Sequence, residues 1–142
     1  MDILMMERDL HFSTAVNKPM NIFGDNWENH ELKIIEDWKM QVKEEDIVLI
    51  VGDTSWAINM DEAEQDLNII HELPGKKIYV KGNHDYWWTT VTKLNKLYDD
   101  MRFLQNNFYE CGDYAICGTR GWTCPNDVKF DEDDEKIYKR EA

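Results

Sequence analysis

The sequence is poor in cysteine and has no long apolar run. Its three cysteines, Cys111, Cys117 and Cys124, are an odd number without a C-x-x-C pair. They indicate free thiols in a reducing compartment and argue against a zinc site built from thiolates. No segment approaches the roughly 18 apolar residues of a membrane span, and the opening "MDILMMERD" lacks the apolar region of a signal peptide. We therefore expect a cytoplasmic protein without a membrane partner.

Positive charge is also scarce. The chain has 16 lysines and arginines against 29 aspartates and glutamates, which gives a formal net charge of −13. Sequence-independent binding to a nucleic-acid backbone requires a basic surface, so we do not expect that partner. The acidic residues either form a solvated surface or collect around cations. Composition does not separate these two explanations, and a solvated surface accounts better for most of them.

Apolar residues make up 42% of the 142 residues, enough for one core, and we expect residues 1–142 to form a single domain. Three segments have the pattern of buried strands: "ILMM", "DIVLIVGD" and "KKIYVKG". The segments between them, around 26–42 and 59–73, have apolar residues at helical spacing. Strands that alternate with helices predict an α/β fold with a parallel sheet and right-handed crossovers.

The second half of the chain has a different pattern. "TTVTKLNKLYDD" predicts a short helix, and "NFYECGDYAICGT" predicts a hairpin that turns at Gly112 and Asp113. Five acidic residues at 131–135 fit a solvated loop or the start of a helix, and "KIYKREA" continues as a helical pattern.

Polar side chains follow each of the three predicted strands. Asp9 and His11 follow the first strand, Asp53 the second, and Asn83 and His84 the third. Neighbouring parallel strands lie about 4.8 Å apart and end at the same edge of the sheet, so these side chains should meet there. Carboxylate, amide and imidazole donors suit manganese, iron or zinc. Each short motif is weak alone, but the three in order predict a metal site.

The motifs "DLH", "GD" and "GNHD", in this order, resemble the calcineurin-like metallophosphoesterase superfamily. The segments "NKPMNIFGDNWENH", "GDTSWAINM", "GNHDYWW" and "GTRGW" further resemble a bacterial group of predicted phosphohydrolases within it. The resemblance extends from Asp9 to about Pro125. It implies a β-sandwich flanked by helices, with two divalent metal ions at the strand ends.

The resemblance also implies a role for each residue at the strand ends. Asp9 and His11 would bind the first metal, Asp53 would bridge both, and Asn83 would bind the second. His84 would sit near the leaving-group oxygen as a proton donor or charge stabiliser. The implied activity is hydrolysis of a small-molecule phosphate ester by a hydroxide that the two ions activate.

Other residues near the motifs allow two explanations each. Arg120 in "GTRGW" is a candidate phosphate contact, because its guanidinium matches phosphate oxygens, and is equally well explained as a surface loop residue. Trp56, Trp87 and Trp88 could form a substrate wall, although tryptophans more often pack in a core. We expect packing for at least one of the adjacent pair.

The chain departs from the family pattern in two places. Glu7 and Arg8 end the first strand, where family members tend to have small or apolar residues. The family also supplies histidines from its C-terminal half, in a Gly-His-x-His segment, and this chain has no histidine after His84. Of its other histidines, His30 and His71 fall in predicted helices as surface or packing residues. We therefore expect an incomplete domain, a βαβαβ portion plus a hairpin, with uncovered apolar surface and self-association.

Two other interpretations remain open. The incomplete ligand set favours a non-catalytic binding or regulatory domain on the same scaffold. A flavodoxin-like nucleotide-binding module fits the alternating pattern but lacks the usual glycine-rich phosphate loop, and it ranks last.

Overall fold

A four-stranded parallel sheet forms the centre of the protein. The computed structural model describes residues 3–6 and 9–141. The strands β1 (Ile3–Met6), β2 (Ile47–Val51), β3 (Lys76–Val80) and β4 (Met101–Leu104) lie side by side in chain order. Every neighbouring pair is parallel, so all four strands end at one edge. This sheet confirms the three predicted strands and adds a fourth that was not predicted.

The crossovers between the strands are helical. They contain α1 (His30–Gln41), α2 (Met60–His71) and the single turn α3 (Val91–Leu94). The Asn59 side chain caps α2, because its Oδ1 accepts a hydrogen bond from the Glu62 backbone N–H at 3.0 Å. The predicted short helix at 89–100 is reduced to the four residues of α3, and turns follow it.

The predicted hairpin is present after the sheet. Strands β5 (Asn107–Cys111) and β6 (Tyr114–Gly118) pair antiparallel in a separate two-stranded sheet. A last helix, α4 (Glu132–Glu141), starts within the acidic run, whose carboxylates favour a helix N-terminus. No helix in the described ranges is long and apolar enough to cross a membrane.

Both faces of the central strands are buried. On one face, Val48, Tyr79 and Phe103 join a core that includes Trp38 of α1 and Leu67 of α2. The alternate residues of the same strands form a smaller cluster under the hairpin. Each fully buried large apolar side chain contributes about 1.5–3 kcal/mol. This burial holds the ends of β2, β3 and β4 at fixed positions.

The hairpin covers the second face of the sheet only in part. Ile47, Ile78 and Leu104 are buried there, whereas Val51 is 38% exposed and Phe108 of the hairpin is 59% exposed. Apolar side chains therefore remain open to solvent near this face. Self-association through this surface stays a prediction.

Candidate functional site

The loops that follow β1 and β2 run side by side beyond the sheet. The His11 N–H donates to the Asp53 carbonyl at 3.0 Å, and the Phe12 N–H donates to the Thr54 carbonyl at 3.0 Å. These bonds continue the parallel pairing past the strand ends, so the two motif segments are held in fixed register. The departures at Glu7 and Arg8 lie outside the described residues.

Three of the four predicted metal ligands have a left-handed backbone. The φ angles are 74° at Asp9, 47° at His11 and 52° at Asp53. Non-glycine residues in this region cost on the order of 1–3 kcal/mol, and such strain concentrates at functional sites. The hydrogen bonds between the loops hold this backbone in place. The strain therefore marks these loops as a candidate functional site.

Three side chains converge closely enough to hold a metal ion. One ligand atom each from His11, Asp53 and His84 lies within 4.8 Å of the others. His84 Nδ1 is 2.9 Å from Asp53 Oδ2, and the His84 backbone N–H donates to Asp53 Oδ1 at 2.9 Å. His11 and Asp53 are both buried. The cluster combines nitrogen and carboxylate donors, which suit manganese, iron or zinc.

The other two predicted ligands lie at the rim of this cluster. Asp9 Oδ1 is 3.4 Å from His11 Nε2, and Asn83 Nδ2 is 3.4 Å from His84 Nε2. Asp9, Asn83 and Asp53 all line one cleft of about 740 Å³. The structure therefore brings all five residues of the three motifs together at the carboxyl ends of the strands.

The environment favours the protonation states that a metal site needs. Burial lowers the pKa of His11 and outweighs the nearby carboxylates, which favours the neutral ring. Burial alone would raise the pKa of Asp53, but the hydrogen bonds and charge of His84 lower it overall. A neutral imidazole and an ionised carboxylate are the metal-binding forms of these groups.

Asp85 connects the loops after β2 and β3 through hydrogen bonds, a role that was not identified from the sequence. Its carboxylate is buried and accepts the backbone N–H groups of Asp53 at 2.9 Å, Thr54 at 2.9 Å and Gly82 at 2.8 Å, and the Trp87 indole N–H at 3.1 Å. Burial raises the pKa of Asp85 overall, although these donors act in the opposite direction. In the sequence, its position as the last residue of the "GNHD" motif was the only indication of such a role.

Two glycines allow the loops after β2 and β3 to approach each other. Gly52 has a φ of 95°, a backbone conformation that glycine adopts without steric cost. A Cβ atom at Gly82 would overlap Asp53 Oδ1, and one at Gly52 would lie 2.7 Å from Gly82 Cα. Gly82 therefore leaves space for the Asp53 carboxylate, and Gly52 leaves space for the Gly82 backbone.

Aromatic packing fixes the two imidazole rings. The Trp56 ring stacks on His11 with centroids 4.5 Å apart and an interplanar angle of 14°, and it lies 4.9 Å from the His84 ring. Trp56 therefore serves as a wall of the cluster. Trp87 and Trp88 are both buried in the core, which confirms packing for this pair.

His30 has a role beyond helix packing. Its Nε2 lies 3.1 Å from the Leu10 carbonyl and 3.3 Å from the His11 carbonyl. It therefore supports the backbone of the first motif from the start of α1. His71 lies at the end of α2 and contacts Asp100, beside the start of β4.

Arg120 is buried, so its explanation as a surface loop residue is wrong. It is 9% exposed, and its guanidinium carbon lies 4.2 Å from the centroid of the Trp122 ring. Its Nε is buried without a hydrogen-bond partner among the described residues. Trp122 lines the same cleft as Asp9, Asp53 and Asn83. Arg120 therefore packs behind a wall of the candidate site.

Comparisons with known proteins show the fold and assign no activity. No family model matches the chain. The uncharacterized protein MJ1445 of Methanocaldococcus jannaschii is 30% identical over 78 residues, which are 54% of this chain. The match spans 43% of that relative, less than half of its length.

A solved structure supports the architecture. The crystal structure of AQ665 from Aquifex aeolicus, a protein of unknown function, matches with a TM-score of 0.52 and 23% identity. The match covers 96% of this chain and 70% of that one. At this identity the likeness shows the fold alone. The chain is an α/β protein.

The arrangement limits the chemistry that the site can perform. The carboxylates of Asp9, Asp53 and Asp127 and the amide of Asn83 line the cleft, and the His11 and His84 imidazoles lie beside Asp53. With these donors the site can hold divalent cations and transfer protons through imidazole.

Proposed function

We propose that the protein is a metal-dependent phosphoesterase. The observation that supports the proposal is the convergence of His11, Asp53 and His84 ligand atoms within 4.8 Å, at the ends of neighbouring parallel strands. The proposal takes the activity from the resemblance of the three motifs to the calcineurin-like metallophosphoesterases.

The residues fit two divalent ions. The first ion would be held by Asp9 and His11, and the second by Asn83. Asp53 would bridge them, because a carboxylate has two oxygens and this one lies within 4.8 Å of ligand atoms of both His11 and His84. When bound, two such ions acidify water and neutralise the charge of a phosphoryl group. Manganese, iron and zinc all suit these donors.

The protein's own residues then orient the ester and handle the proton. Asp53 Oδ2 lies 2.9 Å from His84 Nδ1, and His84 Nε2, on the side of Asn83, would face the departing oxygen. A protonated His84 can give that oxygen a proton, a step that contributes about 10²- to 10⁴-fold in rate. Arg120 would contact the phosphate through its guanidinium, directly or after movement of Trp122, on which it stacks.

The substitution Asp53→Asn tests this proposal. The variant removes the bridging charge, so we expect manganese-dependent hydrolysis of an aryl phosphate to fall by about 100-fold or more, since even outer-shell partners of a metal cost about 10- to 100-fold. The matched control is Asp61→Asn, an exposed carboxylate on α2, which should keep wild-type activity. Full activity in Asp53→Asn would refute the two-metal assignment.

A second candidate is a non-catalytic binding or regulatory domain on the same scaffold. The specific observation in its favour is the small number of ligands for the second ion, which would have only Asn83 and the shared Asp53. Calorimetry with manganese or zinc separates the candidates. The absence of binding at micromolar metal favours the regulatory domain, and binding together with turnover excludes it.

A further inference from the structure

We propose that Tyr86 and Trp56 form the subsite for the leaving group, so that the preferred substrates are phosphate esters of alcohols that carry an aromatic ring. This inference rests on the proposed phosphoesterase function, because the proton that His84 would donate determines where the leaving group lies. The aromatic subsite itself rests on ring contacts around the two imidazoles of the candidate site.

The position of His84 decides where a leaving group lies. In the proposed reaction water adds to phosphorus, the bond from phosphorus to the alcohol oxygen breaks, and that oxygen takes a proton from His84. Such a transfer requires hydrogen-bond distance between the donor and the oxygen. The alcohol part of the ester would therefore lie beside the His84 ring.

Two aromatic side chains lie next to the His84 ring. The Trp56 ring centroid is 4.9 Å from that of His84. The Tyr86 ring centroid is 6.2 Å away, and its plane stands at 85° to the imidazole. The Tyr86 N–H donates to the His84 carbonyl at 2.9 Å, and this turn keeps the two residues close together. A leaving group beside His84 would therefore meet aromatic rings.

Tyr86 has the ring surface that a ligand can reach. Its side chain is 58% exposed, and in the described part of the chain the only ring against it is that of His84. The Trp56 ring, by contrast, already stacks on His11 and has Lys18 Nζ 4.8 Å from its centroid. Tyrosine offers a large flat contact area at a low cost in conformational entropy. Tyr86 therefore supplies the open surface of the subsite.

Trp56 supplies the fixed side of the subsite. Its indole N–H donates to Met20 Sδ at 3.3 Å, and Met20 is buried. A side chain that is already held in place binds a ligand without a further ordering cost. Aromatic rings prefer offset-stacked or edge-to-face contacts with each other. An aromatic leaving group can make such contacts with both rings, whereas a small alkyl group would leave most of their surface uncovered.

Manganese-dependent hydrolysis of benzyl phosphate and ethyl phosphate by the full chain tests the subsite. Both are esters of primary alcohols of similar acidity, so the ratio of their kcat/KM values reports the contacts of the aromatic ring. We expect the wild type to prefer benzyl phosphate by about tenfold or more, Tyr86→Ala to lose about fivefold or more of this preference, and Tyr86→Phe to keep it. Tyr114→Ala, at a hairpin tyrosine that is 68% exposed, is the matched control and should keep the wild-type ratio.

Calorimetric titration with benzylphosphonate and ethylphosphonate, whose phosphorus–carbon bond is not hydrolysed, separates the subsite from the reaction. A Tyr86-dependent preference for benzylphosphonate without hydrolysis of either ester supports the subsite and overturns the phosphoesterase. Hydrolysis of both esters with the same ratio in wild type and Tyr86→Ala overturns the subsite alone. Binding of neither phosphonate, together with hydrolysis of neither ester, overturns both. Equal kcat/KM values for benzyl and cyclohexylmethyl phosphate overturn the aromatic ring as the recognised group.

Discussion

At the scale of single residues, the site depends on an aspartate that does not face the cleft. Asp85 accepts three backbone N–H groups and the Trp87 indole N–H, and it thereby holds the loops after β2 and β3 in contact. The proposed ligand Asp53 lies in one of these loops and the proposed ligand Asn83 in the other. Their relative position is therefore set by Asp85.

The substitution Asp85→Asn should disturb both stability and metal binding. An amide N–H₂ would face N–H donors, so we expect the free energy of unfolding to fall by about 2–4 kcal/mol. Because the loops would shift, we also expect manganese affinity to fall by about 10- to 100-fold. Urea unfolding and calorimetry measure the two effects, with Asp61→Asn as the exposed control. Unchanged values for both would show that Asp85 does not position the loops.

Single residues differ in how far the sequence predicts them. Asp9, His11 and Asp53 could be placed because each directly follows a predicted strand. The roles of Asp85 and His30 could not, because they depend on how closely separate loops approach in space. Burial of Arg120 was equally hidden, since its neighbours "GTRGW" have the composition of an exposed loop.

At the scale of elements, ion pairs connect α2, β3 and the start of β4 at the amino ends of the strands, opposite the cleft. Lys77 of β3 is buried, and its Nζ lies 2.6 Å from Asp100 Oδ2. The other Asp100 oxygen lies 2.6 Å from His71 Nδ1 at the end of α2. Burial alone would raise the pKa of Asp100, but the hydrogen bonds from Lys77 and His71 lower it overall.

The substitution Asp100→Asn should destabilise the fold, because it leaves the buried Lys77 charge without its carboxylate. We expect a loss of about 3 kcal/mol at neutral pH. The pKa of Asp100 is lower in the folded protein than its unfolded value of 3.8, so the ionised carboxylate stabilises the fold above pH 3.8. This stabilisation is lost as the pH falls through the folded-state pKa. The difference between wild type and variant should therefore shrink below about pH 4.

Urea unfolding at several pH values measures this effect, and the exposed neighbour Asp99 provides the control as Asp99→Asn. A difference between wild type and Asp100→Asn that stays constant from neutral pH to below pH 4 would contradict the ion-pair explanation.

Elements were predictable where their apolar pattern was long. The runs at 47–51 and 76–80 are buried over most of their length and were identified directly. The strand β4 was missed because "MRFL" is short and contains the exposed Arg102. Its place in the sheet comes from pairing with β3, a contact that no local pattern reveals.

At the scale of the whole molecule, the cleft joins distant parts of the sequence. Its walls include loops after β1, β2 and β3 and a C-terminal segment with Trp122 and Asp127. The walls formed by the loops after β1, β2 and β3 could be predicted, because parallel strands end at the same edge of the sheet. The contribution of the C-terminal segment could not be predicted, because the chain has no regular secondary structure between β6 and the strand ends.

Manganese titration into the full chain, followed by calorimetry, tests the central claim most directly. The account predicts two ions per wild-type chain, one ion in Asn83→Ala, and none in Asp53→Asn, because in the proposed site Asp53 would be the ligand that both ions share. The exposed Asn21→Ala should bind as the wild type does. Wild-type stoichiometry in both Asn83→Ala and Asp53→Asn, or no binding by the wild type, would contradict the account.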